Sequence, residues 1–392
     1  MNLKELFYRH LAQTSPAPLA IEIEKAEGVY LYSADGQRYM DLISGVSVSN
    51  IGHCHPEVVK AVQEQAAKYM HLMVYGEMVQ SPQVLLATRL TELLPAQLDC
   101  IYFVNSGSEA IEGAMKLAKR LTGKTEILSC FNAYHGCTNG AMSIMGCDAF
   151  TRAFRPLLPD CNKIRFGEIA DIEKITPSTA AVIIETVQGE AGIRFADKTY
   201  WQQLRHRCNE TETLLILDEI QTGFGRTGSL FAFEQTGIVP DVLALAKGMG
   251  GGMPIGAFIA SKERMHAFTH NPVLGHITTF GGHPVCCAAA LASLNVIEQE
   301  KLYLQVPQKA KLFNDLLSPL PKIKDFRQQG LMMALDFENK HYTFEVMNKC
   351  LQKGLLTDWF LFCDTALRLA PPLVITEEGI RLACEILIEV IK

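Results

Sequence analysis

The chain has 392 residues, of which 48% are hydrophobic and 20% are charged, and its formal net charge is -6. This balance is typical of a globular protein with ample core material, and the length suggests about two or three domains. The negative charge and the lack of a basic run argue against nucleic acid and anionic membranes as partners. No apolar stretch approaches the roughly 20 residues that a membrane span needs.

The N-terminal segment MNLKELFYRHLAQ predicts a short amphipathic helix. Its apolar residues recur at helical spacing, and Lys4, Glu5 and Arg9 interrupt the continuous apolar run that an export signal needs. The 12 cysteines contain no CxxC pair, so we expect reduced thiols in a cytoplasmic protein. Cys286 and Cys287 open a helical stretch, where we expect them to pack in the interior.

Strand-like and helical runs alternate through the middle of the chain. The helical run is 108–123, closed by Gly123, and the strand-like runs are 100–107, 125–131, 180–186, 214–219, 241–246 and 256–261. This alternation predicts an α/β fold with a doubly wound, mostly parallel sheet, which we place at 49–285.

The two ends of the chain predict a second, smaller domain. Residues 28–42 contain a hairpin with Asp35-Gly36 as its turn. After Pro284 the pattern changes to strands at 325–337 and 366–375 between helices, and the last helix has Thr376 as its N-cap. We therefore expect 1–48 and 286–392 to form one small α+β domain.

The segment NSGSEA, 105–110, lies between a predicted strand and a predicted helix. Gly107 permits close approach to the backbone, and the helix N-terminus offers unpaired N–H groups and a positive dipole end, which suits a phosphate. The alternative is a simple capping box from Ser106 to Glu109.

Asp218 ends a buried strand in LLILDEIQTGFGRTG, 214–228, where its carboxylate can hold a cation. Asp218 and Glu219 also resemble the acids of an ATPase, but that site needs GxxxxGK[ST]. The nearest match is LTGKT at 121–125, where Ala118 replaces the first glycine and the segment predicts a helix end.

Lys247 follows an apolar run and precedes a glycine-rich loop in DVLALAKGMGGGMPIG, 241–256. A lysine is almost never buried unless it is paired or used, and a desolvated amine is a candidate nucleophile. Ligands of open α/β sheets bind beyond the carboxyl ends of the strands. A phosphate turn, an acid and an amine at that edge suit pyridoxal 5'-phosphate, which has a phosphate, a ring nitrogen and an aldehyde.

Nearly the whole chain resembles the class III, fold-type I pyridoxal-phosphate aminotransferases, the group of acetylornithine, ornithine and 4-aminobutyrate aminotransferases. The motifs that carry the resemblance occur in family order: GHCHPEVVKAV, NSGSEA, YHG, ETVQGEAG, LDEIQTGFGRTG, LALAKGMGGGMPIG, TTFGGHP and LRLAPPL. The resemblance implies transfer of an amino group from a primary ω-amine to 2-oxoglutarate by a ping-pong mechanism.

The same resemblance implies roles for individual residues. Lys247 would bind the cofactor covalently and move the proton, and Asp218 would hold the ring nitrogen protonated. Arg368 would bind a substrate carboxylate, and Glu190 would pair with Arg368 when no carboxylate is there. The remaining implied cofactor contacts are Ser106, Gly107, Ser108, Tyr134, His135, Gln221 and Thr279. Thr279 would reach the phosphate of a neighbouring subunit, which implies a homodimer with shared active sites.

The substrate side of the site departs from the family pattern. The family usually carries HGRT, whose arginine helps to bind a substrate carboxylate, and Cys137 stands at that place here. Val46, Tyr75, Glu77 and Cys137 are our candidate substrate contacts. Glu77 could meet the distal amine of a diamine or a lysine-like donor, or could be a solvated loop acid.

Several alternatives stay open at this point. They are a transaminase for diaminopelargonate-like, diamine or lysine-like substrates, a decarboxylase or aminomutase of the same fold, and a binder of the cofactor without activity. We expect no metal site, because His53 and His55 in GHCHP precede Pro56 and a helical run, which indicates a turn and a helix start.

Overall fold

The computed structural model describes residues 2–74 and 76–392. Its strands are, in chain order, β1 (Ile23–Glu27), β2 (Tyr30–Ser33), β3 (Arg38–Asp41), β4 (Cys100–Val104), β5 (Glu126–Cys130), β6 (Cys161–Ile164), β7 (Thr179–Glu185), β8 (Leu214–Asp218), β9 (Val242–Leu245), β10 (Gly256–Ala260), β11 (Asp325–Gln329), β12 (Met332–Asp336), β13 (Leu355–Leu356), β14 (Asp358–Phe360) and β15 (Cys363–Leu369). Its α-helices are α1 (Leu3–His10), α2 (Ser44–Ser47), α3 (Pro56–Lys68), α4 (Ser81–Glu92), α5 (Gly107–Thr122), α6 (Asn139–Ser143), α7 (Asp148–Thr151), α8 (Lys198–Glu210), α9 (Lys262–Met265), α10 (Pro284–Gln299), α11 (Leu302–Leu317), α12 (Lys340–Gln352) and α13 (Glu377–Ile391).

A seven-stranded sheet in the order β4-β10-β9-β8-β7-β5-β6 forms the centre of the molecule. Strand β10 is antiparallel to β4 and β9, and the other pairs are parallel. Every residue of β7 is buried because helices cover both faces of the sheet. The predicted α/β class with a mostly parallel sheet is confirmed.

Helix α5 lies on one face of this sheet. Its Ala110, Ile111 and Ala114 belong to a core cluster with Phe258 of β10. Helices α3, α4, α8 and α10 pack with the opposite face, in the largest core cluster. Cys286 and Cys287 are buried in α10, as the sequence predicted.

Local sequence explains where α5 begins and ends. The Ser106 hydroxyl accepts the Glu109 N–H at 3.2 Å, but the Glu109 carboxylate bonds Asn105 rather than completing the capping box. Gly123 ends the helix at φ +68, a left-handed conformation that costs glycine little. The LTGKT segment is therefore a helix end, which excludes a strand-to-helix phosphate loop there.

Two smaller sheets complete the fold, with orders β1-β2-β3-β13 and β11-β12-β15-β14. The hairpin predicted for 28–42 is strands β2 and β3, with a turn at Asp35 and Gly36. Strand β3 pairs in parallel with β13, which joins the N-terminal segment to the C-terminal part of the chain. This pairing supports our proposed division into a large domain, 49–285, and a small domain, 1–48 with 286–392. Among the described residues, no helix has both the length and the apolarity that crossing a membrane requires.

Candidate active site

A cavity of about 400 Å³ opens at the carboxyl ends of the parallel strands. Strands β7, β8 and β9 end at this edge of the sheet, and α5 begins there. The lining residues are Val48, Asn105, Ser106, Gly107, Ser108, Tyr134, His135, Gly136, Glu185, Val187, Glu190, Asp218, Ile220, Gln221, Thr222, Ala246, Lys247, Gly252, Met253, Pro254 and Ile255. The predicted phosphate turn, the acid Asp218 and Lys247 therefore share one crevice.

The N-terminus of α5 presents its first N–H groups to this cavity. Gly107 and Ser108 are its first residues, and a 16-residue helix directs the positive end of its dipole at them. A Cβ at Gly107 would lie 2.9 Å from the Ile220 side chain, so only glycine lets the two segments approach this closely. Ser108 Oγ accepts the Cys137 N–H at 3.3 Å, which ties the turn to the segment after β5.

Asp218 is 4% exposed and is held from two sides. His135 Nδ1 donates to its Oδ2 at 2.7 Å, and the Ile220 N–H donates to its Oδ1 at 3.0 Å. His135 Nε2 is buried and has no hydrogen-bond partner among the described residues. The carboxylate therefore has a fixed orientation and can bind a positive charge in the cavity.

Glu185, which the sequence analysis missed, is a second buried carboxyl group beside Asp218. The two residues are register partners on the parallel strands β7 and β8. Its oxygens accept the N–H groups of Tyr134 and Gly189, each at 2.9 Å. Burial, and then the charge of Asp218, raise the pKa of Glu185 to about 8. Its position at the same strand end as Asp218 was the signal that could have found it.

Lys247 follows β9 in the left-handed backbone region, at φ +46. This conformation is strained for a residue other than glycine and is characteristic of functional sites. The side chain keeps some surface open to the cavity and is otherwise enclosed by protein. Burial lowers the pKa of its amine, although Glu190 and Asp218 act in the opposite direction. Lys247 therefore loses its proton more readily than an exposed lysine.

Arg368 and Glu190 form a buried ion pair next to the cavity. Arg368 Nη2 donates to Glu190 Oε2 at 2.6 Å and to the Trp359 carbonyl at 3.2 Å. The guanidinium carbon lies 4.6 Å from the centre of the Phe360 ring. Arg368 Nε and Nη1 are buried without a hydrogen-bond partner among the described residues. Glu190 lines the cavity, so a carboxylate that displaced it could reach these donors.

Tyr134 lines the cavity, whereas Cys137, a predicted substrate contact, is beside Tyr134 but outside the lining. The Tyr134 hydroxyl is 3.1 Å from Cys137 Sγ, and the Cys137 side chain is exposed. Burial, and then the contact with Cys137, raise the pKa of the Tyr134 hydroxyl. The described part of the chain places no guanidinium on the cavity wall here.

The other predicted site residues lie in different places. Gln221 and Val48 line the cavity, whereas the predicted Val46 does not. Glu77 lies on an exposed turn, away from the cavity lining, and Tyr75 lies outside the described residues.

Thr279 is also outside the lining, in an exposed segment where its carbonyl oxygen is 2.8 Å from His71 Nε2. Of the two histidines in GHCHP, His53 bonds Asp41 at 2.8 Å and His55 is the N-cap of α3. Within 2–74 and 76–392, no three His, Cys, Asp or Glu side chains are grouped as a metal site.

Comparison with known proteins agrees with this geometry. A model of the family described as Aminotransferase class-III matches residues 11–391. The chain is 40% identical to an acetylornithine aminotransferase of Methanocaldococcus jannaschii over 92% of this chain and 91% of that protein. It is 37% identical to the acetylornithine aminotransferase of Methanopyrus kandleri over 98% of this chain and 97% of that protein.

Solved structures with the same fold cover almost the whole chain. A Toxoplasma gondii ornithine aminotransferase, described with partial occupancy of PLP at its active site, has a TM-score of 0.91 and 29% identity. The match covers 99% of this chain and 93% of that one. An adenosylmethionine-8-amino-7-oxononanoate aminotransferase from Methanocaldococcus jannaschii has a TM-score of 0.91 and 30% identity, and the match covers 99% and 98% of the two chains.

Proposed function

The chain belongs to the class-III aminotransferases and is a pyridoxal-phosphate-dependent transaminase of fold type I, and from this premise we propose that it transfers an amino group from a primary ω-amine to 2-oxoglutarate by a ping-pong cycle. The observation that carries the proposal is the buried Arg368–Glu190 pair, whose carboxylate lines the same cavity as Lys247. A pair of this kind can serve two substrates, one with a carboxylate beside the amine and one without.

The residues present fit the cofactor. We propose that Ser106, Gly107 and Ser108 bind its phosphate, because they are at the N-terminus of α5. Asp218 would bind the ring nitrogen, since His135 and the Ile220 N–H hold its carboxylate in place. Side chains of Tyr134, His135 and Gln221 line the space between these two ends. When bound, the cofactor supplies a conjugated ring that withdraws electrons from the carbon next to the transferred nitrogen.

Lys247 would be the catalytic base. Its Nζ must be neutral to take the proton from the amine-bearing carbon of the donor, and burial favours the neutral amine. Once protonated, the same Nζ would deliver that proton, within the same half-reaction, to the carbon on the other side of the transferred nitrogen. In the second half-reaction it would move a proton in the reverse direction. Glu185 and Glu190 are close enough to raise its pKa, so their charge states would tune this step.

Arg368 and Glu190 would separate the two half-reactions. An ω-amine has no carboxylate next to its amine, so it would leave the ion pair intact. L-Glutamate and 2-oxoglutarate carry such a carboxylate, which would displace Glu190 and occupy the free Nε and Nη1 donors of Arg368. One cavity would therefore accept both substrates in turn.

We also propose a homodimer in which Thr279 reaches the phosphate of the neighbouring subunit. The support is that Thr279 is in an exposed segment away from its own cavity, in the TTFGGHP motif. The dimer and the contact of Thr279 with the neighbouring phosphate are inferred from the resemblance to the family. Gel filtration of the purified protein tests the dimer, and Thr279→Ala should weaken cofactor binding.

A second candidate is a donor without any carboxylate, such as a diamine. Cys137 favours it, because the described cavity wall offers no guanidinium for a distal carboxylate. A panel of N2-acetyl-L-ornithine, 4-aminobutanoate and 1,4-diaminobutane, each with 2-oxoglutarate, separates the two candidates.

The visible spectrum of the purified protein is the first test. We expect an absorbance band of the lysine-bound cofactor that bleaches on addition of L-glutamate and returns on addition of 2-oxoglutarate. A band that L-glutamate leaves unchanged would contradict the proposed acceptor. Initial rates at several concentrations of both substrates should give parallel double-reciprocal lines, and intersecting lines would contradict the ping-pong cycle.

Lys247→Ala tests the assignment of the base. We expect loss of the lysine-bound band and of transamination, whereas Lys163→Ala is the matched control. Lys163 also has a pKa lowered by burial, to about 8, but it lies in a different cavity. If Lys247→Ala transaminates at the normal rate, Lys247 is not the base.

A further inference from the structure

Leu361 and Phe362 form a two-residue turn that contacts Glu190, the acid that pairs with Arg368. It connects β14 to β15, and Phe360 and Cys363 are register partners on either side of it. The Leu361 N–H donates to Glu190 Oε2 at 3.0 Å, and the Phe362 N–H donates to the Glu190 carbonyl at 3.1 Å. The turn therefore binds both the side chain and the backbone of Glu190.

The same oxygen of Glu190 accepts two donors. Oε2 receives the N–H of Leu361 and the Nη2 group of Arg368 at 2.6 Å. Glu190 is 6% exposed, so water replaces these bonds poorly when they break. A substrate carboxylate that displaces Glu190 from Arg368 must therefore also break the bond to Leu361.

The turn is held in place independently of the Glu190 side chain. The Phe362 ring lies 5.3 Å from the Phe150 ring and 6.4 Å from the Tyr134 ring, centre to centre. On the inner side, Arg327 Nη2 donates to Sγ of Cys363, the residue after the turn, at 3.7 Å. Because the turn is fixed from both sides, it does not need Glu190 to keep its shape.

We propose that the Leu361–Phe362 turn is the positioning element that sets how readily Glu190 releases Arg368, and hence the preference between substrates with and without a carboxylate beside the amine. This inference depends on the proposed function, in which the pair opens for L-glutamate and stays closed for the ω-amine. The Leu361 N–H stabilises the closed pair, so its removal favours the open one. The Phe362 N–H bonds the backbone and stays in place in both states.

The expected size of the effect follows from the chemistry of the bond. A hydrogen bond to a charged group contributes about 1.5–3 kcal/mol, so removing the Leu361 N–H should favour opening by about tenfold or more. Affinity for a carboxylate ligand should rise by this factor. The KM and kcat of the ω-amine should change little, because the closed form remains the major one even after this shift.

Leu361→Pro removes this N–H, and Leu361→Ala keeps it while removing the same side chain. Proline is favoured at the second position of a four-residue turn, which Leu361 occupies, and Leu361 is not among the residues with positive φ. Glutarate is the probe, since it carries carboxylates but no transferable group. Its Kd for the holoenzyme can be measured by calorimetry, alongside the KM values of L-glutamate and of an ω-amine from the panel above.

We expect Leu361→Pro to bind glutarate about tenfold more tightly than Leu361→Ala, with a lower KM for L-glutamate and a nearly unchanged KM for the ω-amine. Both variants are then combined with Glu190→Ala, where the difference between Pro and Ala should disappear because the acceptor is gone. Equal glutarate affinities in the Pro and Ala variants, or a difference that persists without Glu190, would overturn the inference.

The outcomes are distinguishable from failure of the proposed function. Glutarate binding needs no turnover, so a coupling between Leu361 and Glu190 is measurable even if neither substrate reacts. If Leu361→Pro lowers the Tm of the holoenzyme so far that it does not stay folded, incorporation of the α-hydroxy analogue of leucine at 361 removes the N–H without a ring. The same tenfold difference is expected of it, and no difference contradicts the proposal.

Discussion

Replacement of Arg368 by glutamine should separate the two half-reactions. The side chain is 3% exposed, and it pairs with Glu190 at 2.6 Å. Because the proposed carboxylate contact is buried, its loss should cost L-glutamate about 2–5 kcal/mol of transition-state binding. This corresponds to a decrease of about 30- to 5,000-fold in kcat/KM for L-glutamate. An ω-amine does not use that contact, so its kcat/KM should change much less.

The Arg368→Gln variant also leaves Glu190 without its charged partner. An unpaired buried carboxylate destabilises a protein by about 3–5 kcal/mol, so a change in folding could be mistaken for a change in recognition. The double variant Arg368→Gln with Glu190→Gln removes both charges together and is the matched control. We expect it to recover most of the lost stability, measured as Tm, and to remain defective with L-glutamate.

Single-turnover bleaching of the cofactor band measures each half-reaction by itself. The rate is recorded against the concentration of L-glutamate and, separately, of the ω-amine that the wild-type protein uses best. A selective loss with L-glutamate in both variants supports carboxylate binding by Arg368. An equal loss with both donors would show that Arg368 acts on the fold or the cofactor, and the two-substrate role of the pair would be wrong.

Three other perturbations have defined outcomes. Cys137→Arg should lower the KM of N2-acetyl-L-ornithine by about tenfold or more relative to Cys137→Ala. The reason is that a charged hydrogen bond contributes about 1.5–3 kcal/mol. An unchanged KM would mean that this position does not face the substrate carboxylate. Glu185 has a pKa raised from 4.5 to about 8, so the folded protein keeps a proton that the unfolded chain loses. The contribution of Glu185 to the free energy of unfolding is therefore largest below pH 4.5 and falls by up to about 1.4 kcal/mol per pH unit until about pH 8. Denaturant titrations of the apoprotein at pH 5 to 9 should show this slope in the wild type but not in Glu185→Gln. Gly113→Ala would place a Cβ 2.2 Å from the Phe258 ring and should lower the free energy of unfolding by about 1–3 kcal/mol. The control Gly379→Ala, whose Cβ would lie 3.2 Å from its nearest neighbour, should be tolerated. A normal Tm for Gly113→Ala would contradict the packing of α5 on β10.

Local sequence patterns predicted most of the large sheet. The strand predicted at 180–186 is Thr179–Glu185, and the helix predicted at 108–123 is Gly107–Thr122. These elements are recognisable because a fully buried parallel strand is a continuous apolar run, and because Gly123 marks the helix end by its left-handed backbone. Strands β1, β6, β13 and β14 were not predicted, and β13 and β14 have only two and three residues, which leaves too short a pattern. The strand predicted at 325–337 is the antiparallel pair β11 and β12.

The site divides in the same way between sequence and tertiary structure. The sequence by itself determined which functional groups the site contains: an amine after β9, an acid at the end of β8 and a helix N-terminus after β4. It also predicted that they meet, because ligands of such sheets bind beyond the carboxyl ends of the strands. Only the tertiary structure decided the rest. Arg368 and Glu190 are 178 residues apart in the chain, and Leu361 is 171 residues from Glu190, so their contacts have no local pattern. The raised pKa of Glu185 likewise depends on burial and on Asp218 in the next strand, which only the assembled sheet brings beside it.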